Sequence, residues 1–170
     1  TLYQALMKRD KFEWVLQKGT EIGVRQFVPL VTQRSLVQDV DIKASKQARW
    51  HKIITEAAEQ SRRGCIPELY PPQTLAQALA DEPPQPGLIA WEEAANLTLR
   101  EALSGGERPS HISLFIGPEG GFAAEEVETA EAVGMKAITL GKRILRAETA
   151  ALVASAIVIH ELDIIQPKAG

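Results

Sequence analysis

Two glycine loops contain the residues of this chain that are best suited to binding a ligand. The first loop reads Gly117-Pro118-Glu119-Gly120-Gly121, and the second reads Gly141-Lys142-Arg143. A glycine loop ahead of a helix offers free backbone N–H groups and the positive end of the helix dipole, which favours phosphate. The first loop carries Glu119, however, and Glu125 and Glu126 follow it, so its surroundings would repel a phosphate. The pattern favours a neutral or cationic ligand at this loop.

The second loop has the opposite charge. Lys142, Arg143 and Arg146 lie just ahead of a predicted helix that opens Ala147-Glu148-Thr149. An acidic loop beside a basic loop is suited to bringing a cationic cofactor and an anionic substrate together. Neither a GxxxxGK[ST] nor a GxGxxG pattern is present, which weakens the case for a dinucleotide-dependent enzyme.

Each loop follows a short apolar run and precedes a helical pattern, so two strand-loop-helix units stand in series. The runs are Ile112 to Ile116 and Ala137 to Leu140, and runs of this kind are typical of buried parallel strands. Two such units side by side place both loops at the carboxyl edge of a sheet, where open α/β sheets bind ligands.

Strands and helices alternate through the rest of the chain, which predicts an α/β fold with a mostly parallel sheet and helices on both faces. Upstream strands are expected at Leu2 to Met7, Gln26 to Val31, Ile66 to Tyr70 and Leu88 to Glu92, and helices from Asp10 to a stop at Gly23, from Ala44 to Arg63, near Leu75 to Ala80 and near Leu97 to Leu103. Pro29 lacks an N–H donor, which predicts an edge or strand-end position. Trp14, Trp50 and Trp91 are expected in the core.

The residues around the two loops resemble a known family. IGPEGGF followed by an acidic helix, and then LGKRILRAETAALVA, is similar to the ribosomal RNA small subunit methyltransferase E family, a branch of the knotted SPOUT methyltransferases. The resemblance extends upstream through QKGTEIGVRQFVPLVTQRS, RWHKIITEAAEQSRRGCIPEL and LIAWEE, and therefore covers nearly the whole chain. The two loop motifs together are far more specific than either one alone.

The resemblance implies features of the fold that the pattern of strands and helices does not predict. It implies one SPOUT domain over residues 1–170, with a C-terminal deep trefoil knot and the cofactor site within about 114–165. It also implies a homodimer with sites at the interface. The helix at Ala150 to Ile159 is apolar nearly all round and must be covered on every side, either by a partner subunit or by the domain's own sheet.

The activity implied by the resemblance is transfer of a methyl group from S-adenosylmethionine to N3 of a uridine in small-subunit (16S) ribosomal RNA, so the implied partners are that RNA or the 30S subunit. A cationic sulfonium suits the acidic first loop. The residues implied to bind the cofactor are Leu88, Trp91, Glu92, Ile116, Gly117, Pro118, Gly120, Gly121, Leu140, Gly141, Arg143, Ile144, Leu145 and Thr149.

Two residues are implied to act in catalysis. Arg146 is the first choice for stabilising the uridine anion that forms as the N3 proton is lost, although a salt bridge to Glu148 or a helix-end contact would also explain it. Glu119 is a candidate base. Lys18, Arg62 and Arg63 could contact RNA phosphates, and a solvated helix face explains them equally well.

Composition excludes several other classes of protein. The chain has 170 residues and is 45% hydrophobic, enough to bury one core. The net charge of −3 is unlike the basic surface of a nucleic-acid binder. The resemblance explains this by an N-terminal RNA-binding domain of the PUA type, which is expected upstream and is absent from this chain.

A single cysteine and three histidines without HExxH spacing predict no metal. We expect a cytoplasmic protein without a membrane segment.

Two alternatives remain open. The chain could be a SPOUT methyltransferase acting on another RNA base or on a ribose 2′-hydroxyl, although Arg146-Ala147-Glu148-Thr149 stands where the serine-leucine-asparagine signature of the ribose branch would lie. It could also be a non-catalytic α/β module that binds RNA or a partner protein. The intact glycines of both loops speak against loss of cofactor binding.

Overall fold

A computed structural model describes residues 1–8, 10–81, 86–94, 97–104 and 109–164, without the side chains of 163 and 164. The element order is β1 (Leu2–Ala5), α1 (Lys11–Ile22), β2 (Gln26–Val31), α2 (Ala44–Gln60), β3 (Glu68–Leu69), β4 (Gln73–Thr74), α3 (Leu75–Ala80), β5 (Gly87–Ala90), α4 (Leu99–Leu103), β6 (Ser113–Ile116), α5 (Ala124–Ala132), β7 (Lys136–Ile138) and α6 (Ala147–Ile164). Residues 165–170, the end of the predicted domain, lie outside these ranges.

The strands form one parallel sheet. Its order is β3-β2-β1-β6-β5-β7, and β4 pairs with β2 beside β3. Among the described residues all strand pairs are parallel, which confirms the predicted mostly parallel sheet. Because parallel strands end at the same edge, the segments that follow β1, β2, β5, β6 and β7 all emerge on one side of the domain.

Helices cover both faces of the sheet, as predicted. Residues that alternate along each strand point to opposite faces, so Leu114 and Ile116 join one core cluster while Phe115 joins the other. The first cluster contains the buried faces of α1, α2, α4 and α6, and the second contains those of α3 and α5. Two layers of helices on one sheet explain how a chain of this length buries a core.

The prediction that Pro29 marks an edge or strand end is wrong. β2 lies inside the sheet, with Pro29 opposite Gln4 of β1. On the other side of β2, pairing is divided between β3, which meets Gln26 and Phe27, and β4, which meets Leu30 and Val31. Pro29 falls between these two short pairings, so its missing N–H is accommodated within an inner strand.

The helix α1 ends where the sequence predicts. Gly23 has φ 123°, a backbone conformation that favours glycine, and its N–H donates to the carbonyls of Gly19 and Thr20. The end of α1 is further fixed by Arg63, whose guanidinium donates to the carbonyl oxygens of Thr20 at 2.8 Å and Val24 at 2.6 Å. Arg63 therefore acts as a cap for a neighbouring helix.

The tryptophans divide between the core and the surface. Trp50 is buried against Phe12, as predicted, with ring centroids 4.7 Å apart. Trp91 is half-buried at the end of β5. Trp14 is 44% exposed, so its assignment to the core is wrong. It lies on the part of α1 that faces away from the sheet, whereas Val15 and Leu16 take the buried positions of that helix.

Candidate functional site

Three adjacent strands bring both glycine loops and a third segment together. In the order β6-β5-β7, Ile116 is followed by the first glycine loop, Ala90 by Trp91 and Glu92, and Ile138 by the second glycine loop. Neighbouring parallel strands are about 4.8 Å apart. The three segments are therefore held within reach of a single small ligand by the sheet itself.

The first loop is closely folded because three of its residues lack a side chain. A Cβ on Gly117 would lie 3.2 Å from the backbone of Gly121 and Phe122. Gly121 has φ 69°, and the carboxylate of Glu92 packs against it, so that a Cβ there would lie 3.0 Å from Glu92 Oε2. The Gly121 N–H donates to the carbonyl of Pro118 at 3.0 Å. Glycine at 121 thus serves two purposes, a left-handed turn and the close approach of a carboxylate.

A segment after β2 supports the first loop from outside. Arg34 Nη1 donates to the carbonyl of Gly120 at 3.1 Å, and the N–H of Gln33 donates to Glu126 Oε1 at 2.8 Å. The other oxygen of Glu126 accepts from the N–H of Ala123 at 2.9 Å, at the start of α5. Glu126 is therefore engaged in holding the helix start, and Glu119 is the acid of this loop that faces the cavity.

The second loop is open and basic. Gly141 has φ 111°, and its N–H donates to Thr139 Oγ1 at 3.2 Å. Ile144 is 88% exposed. Among the described residues, Lys142, Arg143 and Arg146 form no ion pair. Three uncompensated cations beside an exposed isoleucine are unusual in a chain of net negative charge, and they give this loop a surface suited to an anion.

A cavity of about 310 Å³ opens between the two loops. Its walls are the end of β5, the first loop, the second loop and the start of α6, and its lining residues are Lys11, Ala90, Glu92, Ile116, Gly117, Pro118, Glu119, Gly121, Ile144, Leu145, Arg146, Ala147 and Ala150. A smaller depression of about 130 Å³ adjoins it along Trp91 and residues 139–143. The volume of the larger cavity is in the range of pockets that hold small-molecule ligands.

Most of the residues predicted for the site meet in these two spaces. Those that line one or both are Trp91, Glu92, Ile116, Gly117, Pro118, Glu119, Gly121, Leu140, Gly141, Arg143, Ile144, Leu145 and Arg146. Three others do not line them. Leu88 is fully buried within β5, Gly120 packs against Arg34, and Thr149 lies in the first turn of α6.

The residues predicted to contact RNA are not brought to the cavity. Lys18 lies about 10 Å along α1 from Lys11 and pairs with Glu21 at 2.8 Å. Arg63 donates to backbone carbonyls near the end of α1, beside the amino end of β2, which is the edge of the sheet opposite the cavity. Arg62 precedes it, with φ 56°. The position of Arg63 gives it a structural role, and contact of Lys18, Arg62 and Arg63 with RNA stays a prediction.

Lys11 and Ala150 are among the lining residues that the predicted set lacks, together with Ala90, Thr139 and Ala147. Lys11 begins α1, and its Nζ lies 3.4 Å from Glu119 Oε1 and 3.5 Å from Glu148 Oε2. These contacts join residues more than a hundred positions apart, and no local pattern signals them. Ala150 lies one turn after Arg146 and accordingly shares its face of the helix. That spacing could have been found from the sequence.

The described residues contain no group of His, Cys, Asp or Glu side chains arranged to hold a metal ion. Among their helices, none has the length and apolar character needed to cross a bilayer.

The parallel α/β sheet and the two glycine loops around one cavity are features of a ligand-binding α/β domain, and comparison with known proteins identifies its family. The chain belongs to the family of RNA methyltransferase domains, whose sequence model matches residues 1–159. It is 39% identical over 158 residues to the ribosomal RNA small subunit methyltransferase E of Synechocystis, an alignment that covers 92% of this chain.

Solved structures agree with this assignment. A Legionella pneumophila protein solved in complex with bound cofactor SAM matches 94% of this chain with a TM-score of 0.86 and 37% identity. The ribosomal RNA small subunit methyltransferase E from Neisseria gonorrhoeae, solved bound to S-adenosyl methionine, matches 94% with a TM-score of 0.79 and 34% identity. The chain spans 51% of the Synechocystis protein and 65% of each of these two chains.

Proposed function

We propose that this chain binds S-adenosylmethionine in the cavity between its glycine loops and transfers the methyl group to N3 of a uridine in small-subunit ribosomal RNA. The observation that carries the proposal is that an acidic glycine loop and a basic loop, whose cations form no ion pair among the described residues, converge on one cavity of about 310 Å³. Membership in the RNA methyltransferase domain family supports it, and so do relatives that hold this cofactor.

The residues present suit the cofactor. Glu92 and Glu119 supply negative charge for a sulfonium and an ammonium group, and Ile116, Leu145 and Ala150 supply apolar surface for an aromatic base. The glycines at 117 and 121 leave room that a Cβ would fill. When bound, S-adenosylmethionine supplies an electrophilic methyl group, so the protein's task is to orient the acceptor atom and control its proton.

Arg146 is the residue best placed to assist the acceptor. The uridine N3–H proton must leave as the new N–CH₃ bond forms, and negative charge develops across N3 and the flanking carbonyl oxygens. An oriented guanidinium stabilises that charge. Arg146 lines the cavity, is exposed, and has no ion-pair partner among the described residues.

Glu119 is the acid nearest this chemistry and remains the candidate base. It lines the same cavity as Arg146 and is one-quarter exposed. Its Oε1 is shared with Lys11, whereas no partner of Oε2 is known among the described residues. We assign proton removal to Glu119 or to a water molecule that it orients.

The proposal includes a trefoil knot and a homodimer. The knot rests on the family resemblance, and the path of the chain is compatible with it: α5 packs on one face of the sheet, β7 lies at its edge, and α6 returns to the other face beside α1 and β6. The outer surface of α6 favours a dimer. Val153 and Ile157 are exposed there, while Ala151, Ala154 and Val158 face the sheet.

The partner we propose for the active dimer is the 30S subunit or its RNA. The test is methylation of small ribosomal subunits with labelled S-adenosylmethionine, followed by mapping of the modified nucleotide. Modification at a uridine N3 is the expected result. Modification of a ribose 2′-hydroxyl or of another base would contradict uridine N3 as the target atom, but it would not contradict the proposed cofactor site. Saturable RNA binding without cofactor binding would favour a non-catalytic module.

A further inference from the structure

We infer that Lys11 is a positioning residue that keeps Arg146 free for the substrate by occupying the Glu148 carboxylate that would otherwise bind it. The effect of Lys11 on catalysis rests on the proposed function. The structural part of the inference concerns only the contacts of Lys11, Glu119, Glu148 and Arg146.

Lys11 connects three elements at the mouth of the cavity. It is the first residue of α1, Glu119 belongs to the first glycine loop, and Glu148 belongs to the first turn of α6. Its Nζ lies 3.4 Å from Glu119 Oε1 and 3.5 Å from Glu148 Oε2. Lys11 is also among the lining residues of the cavity, so these two ion pairs lie at its wall.

Helix stability does not explain a lysine at this position. A cation in the first turn of a helix faces the positive end of the helix dipole and is unfavourable there. The preceding residue, Asp10, makes no side-chain hydrogen bond to the start of α1. The position of Lys11 is explained by the carboxylates that it reaches, which belong to other elements.

Glu148 depends on Lys11 more than Glu119 does. The Glu148 side chain is 15% exposed, and its Oε2 is buried without a hydrogen-bond partner among the described residues. A nearly buried carboxylate without a counter-charge is costly. Without the Lys11 cation, Glu148 would favour pairing with another cation, and Arg146 lies two residues earlier, directly before α6.

Arg146 has no ion-pair partner among the described residues, although it lines the same cavity as Glu119 and precedes Glu148 by two residues. Occupation of Glu148 by Lys11 accounts for this. An arginine paired with Glu148 would have its charge neutralised and its side chain drawn away from the acceptor. Lys11 therefore acts on catalysis through Arg146.

The test compares four variants of the full chain in methyl transfer to small ribosomal subunits. Lys11→Gln is expected to lower kcat by about 10- to 100-fold, with S-adenosylmethionine affinity within about threefold of the unsubstituted chain. Lys11→Arg and Glu148→Gln are expected to keep kcat, the first because it retains the cation and the second because it removes the competing carboxylate. Lys11→Gln/Glu148→Gln is expected to recover most of the lost turnover.

A purely architectural role for Lys11 makes the opposite prediction. Lys11→Gln and Glu148→Gln break the same ion pair between α1 and α6, so both would then lose activity equally and the double variant would not recover. That result would overturn the inference.

A second readout does not depend on activity. In a crystal structure of Lys11→Gln, the Arg146 guanidinium should lie within 4 Å of the Glu148 carboxylate, and in the double variant it should keep the position that it has in the unsubstituted chain. An Arg146 side chain that keeps its position in Lys11→Gln would also overturn the inference. Failure of the unsubstituted chain to methylate any subunit would instead count against the proposed function.

Discussion

Single residues determine how close a ligand can come to the backbone and where charge is available to it. Gly121 combines a φ of 69° with the approach of the Glu92 carboxylate, and Arg146 lines the same cavity with a guanidinium that forms no ion pair among the described residues. Both Gly121 and Arg146 could be assigned to the site from the sequence. The contact between Glu92 and Gly121 was not, because it joins the ends of two strands that only the sheet brings together.

Replacing Gly121 with alanine should weaken S-adenosylmethionine binding by about tenfold or more, which corresponds to roughly 1.4 kcal/mol. The added Cβ would displace Glu92 and strain the loop. Isothermal titration calorimetry measures the change. Gly134→Ala is the matched control, because Gly134 has φ 88° but open space around its Cβ position. It should lose about 1 kcal/mol of stability and bind cofactor normally. Equal binding by both variants would show that Glu92 has no part in the site.

Replacing Arg146 with alanine should lower kcat for methyl transfer by about 100-fold or more while the affinity for cofactor and the oligomeric state stay unchanged. The physical reason is loss of the cation that faces developing negative charge. Steady-state methylation of small subunits measures kcat. Arg25→Ala is the control, because Arg25 is an exposed arginine at the other edge of the sheet. Loss of cofactor affinity in Arg146→Ala would move this residue from catalysis to binding.

At the scale of elements, the two strand-loop-helix units were predictable because each is local. A short apolar strand, a glycine loop and a helix follow one another within about thirty residues, and β6 with α5 and β7 with α6 appear as expected. The prediction that Pro29 lies at a sheet edge or strand end was wrong because the strand propensity of a residue carries no information about the neighbouring strands. The interruption between β3 and β4 is a tertiary feature, and it removes the usual objection to proline in an inner strand.

Helix ends show the same limit. Gly23 was predictable as the end of α1, whereas the arginine that caps it comes from 40 residues further along the chain. Arg63→Ala should therefore lower the free energy of unfolding by about 2 kcal/mol, because charged hydrogen bonds to the half-buried carbonyls of Thr20 and Val24 are lost. Urea unfolding measures this, with Arg25→Ala as the control. A change below about 0.5 kcal/mol would contradict this structural role for Arg63.

At the scale of the whole molecule, one apolar surface of α6 stays exposed among the described residues. The helix α6 was expected to be covered on every side, and the sheet covers only one of its faces. Val153 at 38% exposure and Ile157 at 36% face outward, and Trp14 is exposed on α1, which packs beside α6. Sequence periodicity could not separate these faces, since the helix is apolar on both.

The exposed face of α6 predicts that Ile157→Asp converts a dimer to a monomer, because a carboxylate buried in an apolar interface is costly. Light scattering coupled to size-exclusion chromatography measures the mass. Val133→Asp is the control, since Val133 is an exposed apolar residue at the end of α5, away from this surface. A monomeric unsubstituted chain, or a dimer that survives Ile157→Asp, would contradict an interface on α6.

Calorimetric titration of the unsubstituted chain with S-adenosylmethionine, using ATP and NAD as comparison ligands, tests the central claim most directly. The cavity between the two glycine loops predicts saturable binding of S-adenosylmethionine, weakened by Gly121→Ala, and no binding of the other two. A folded chain that binds none of the three, or that binds a nucleotide phosphate in preference, would contradict the assignment of this cavity to the methyl donor.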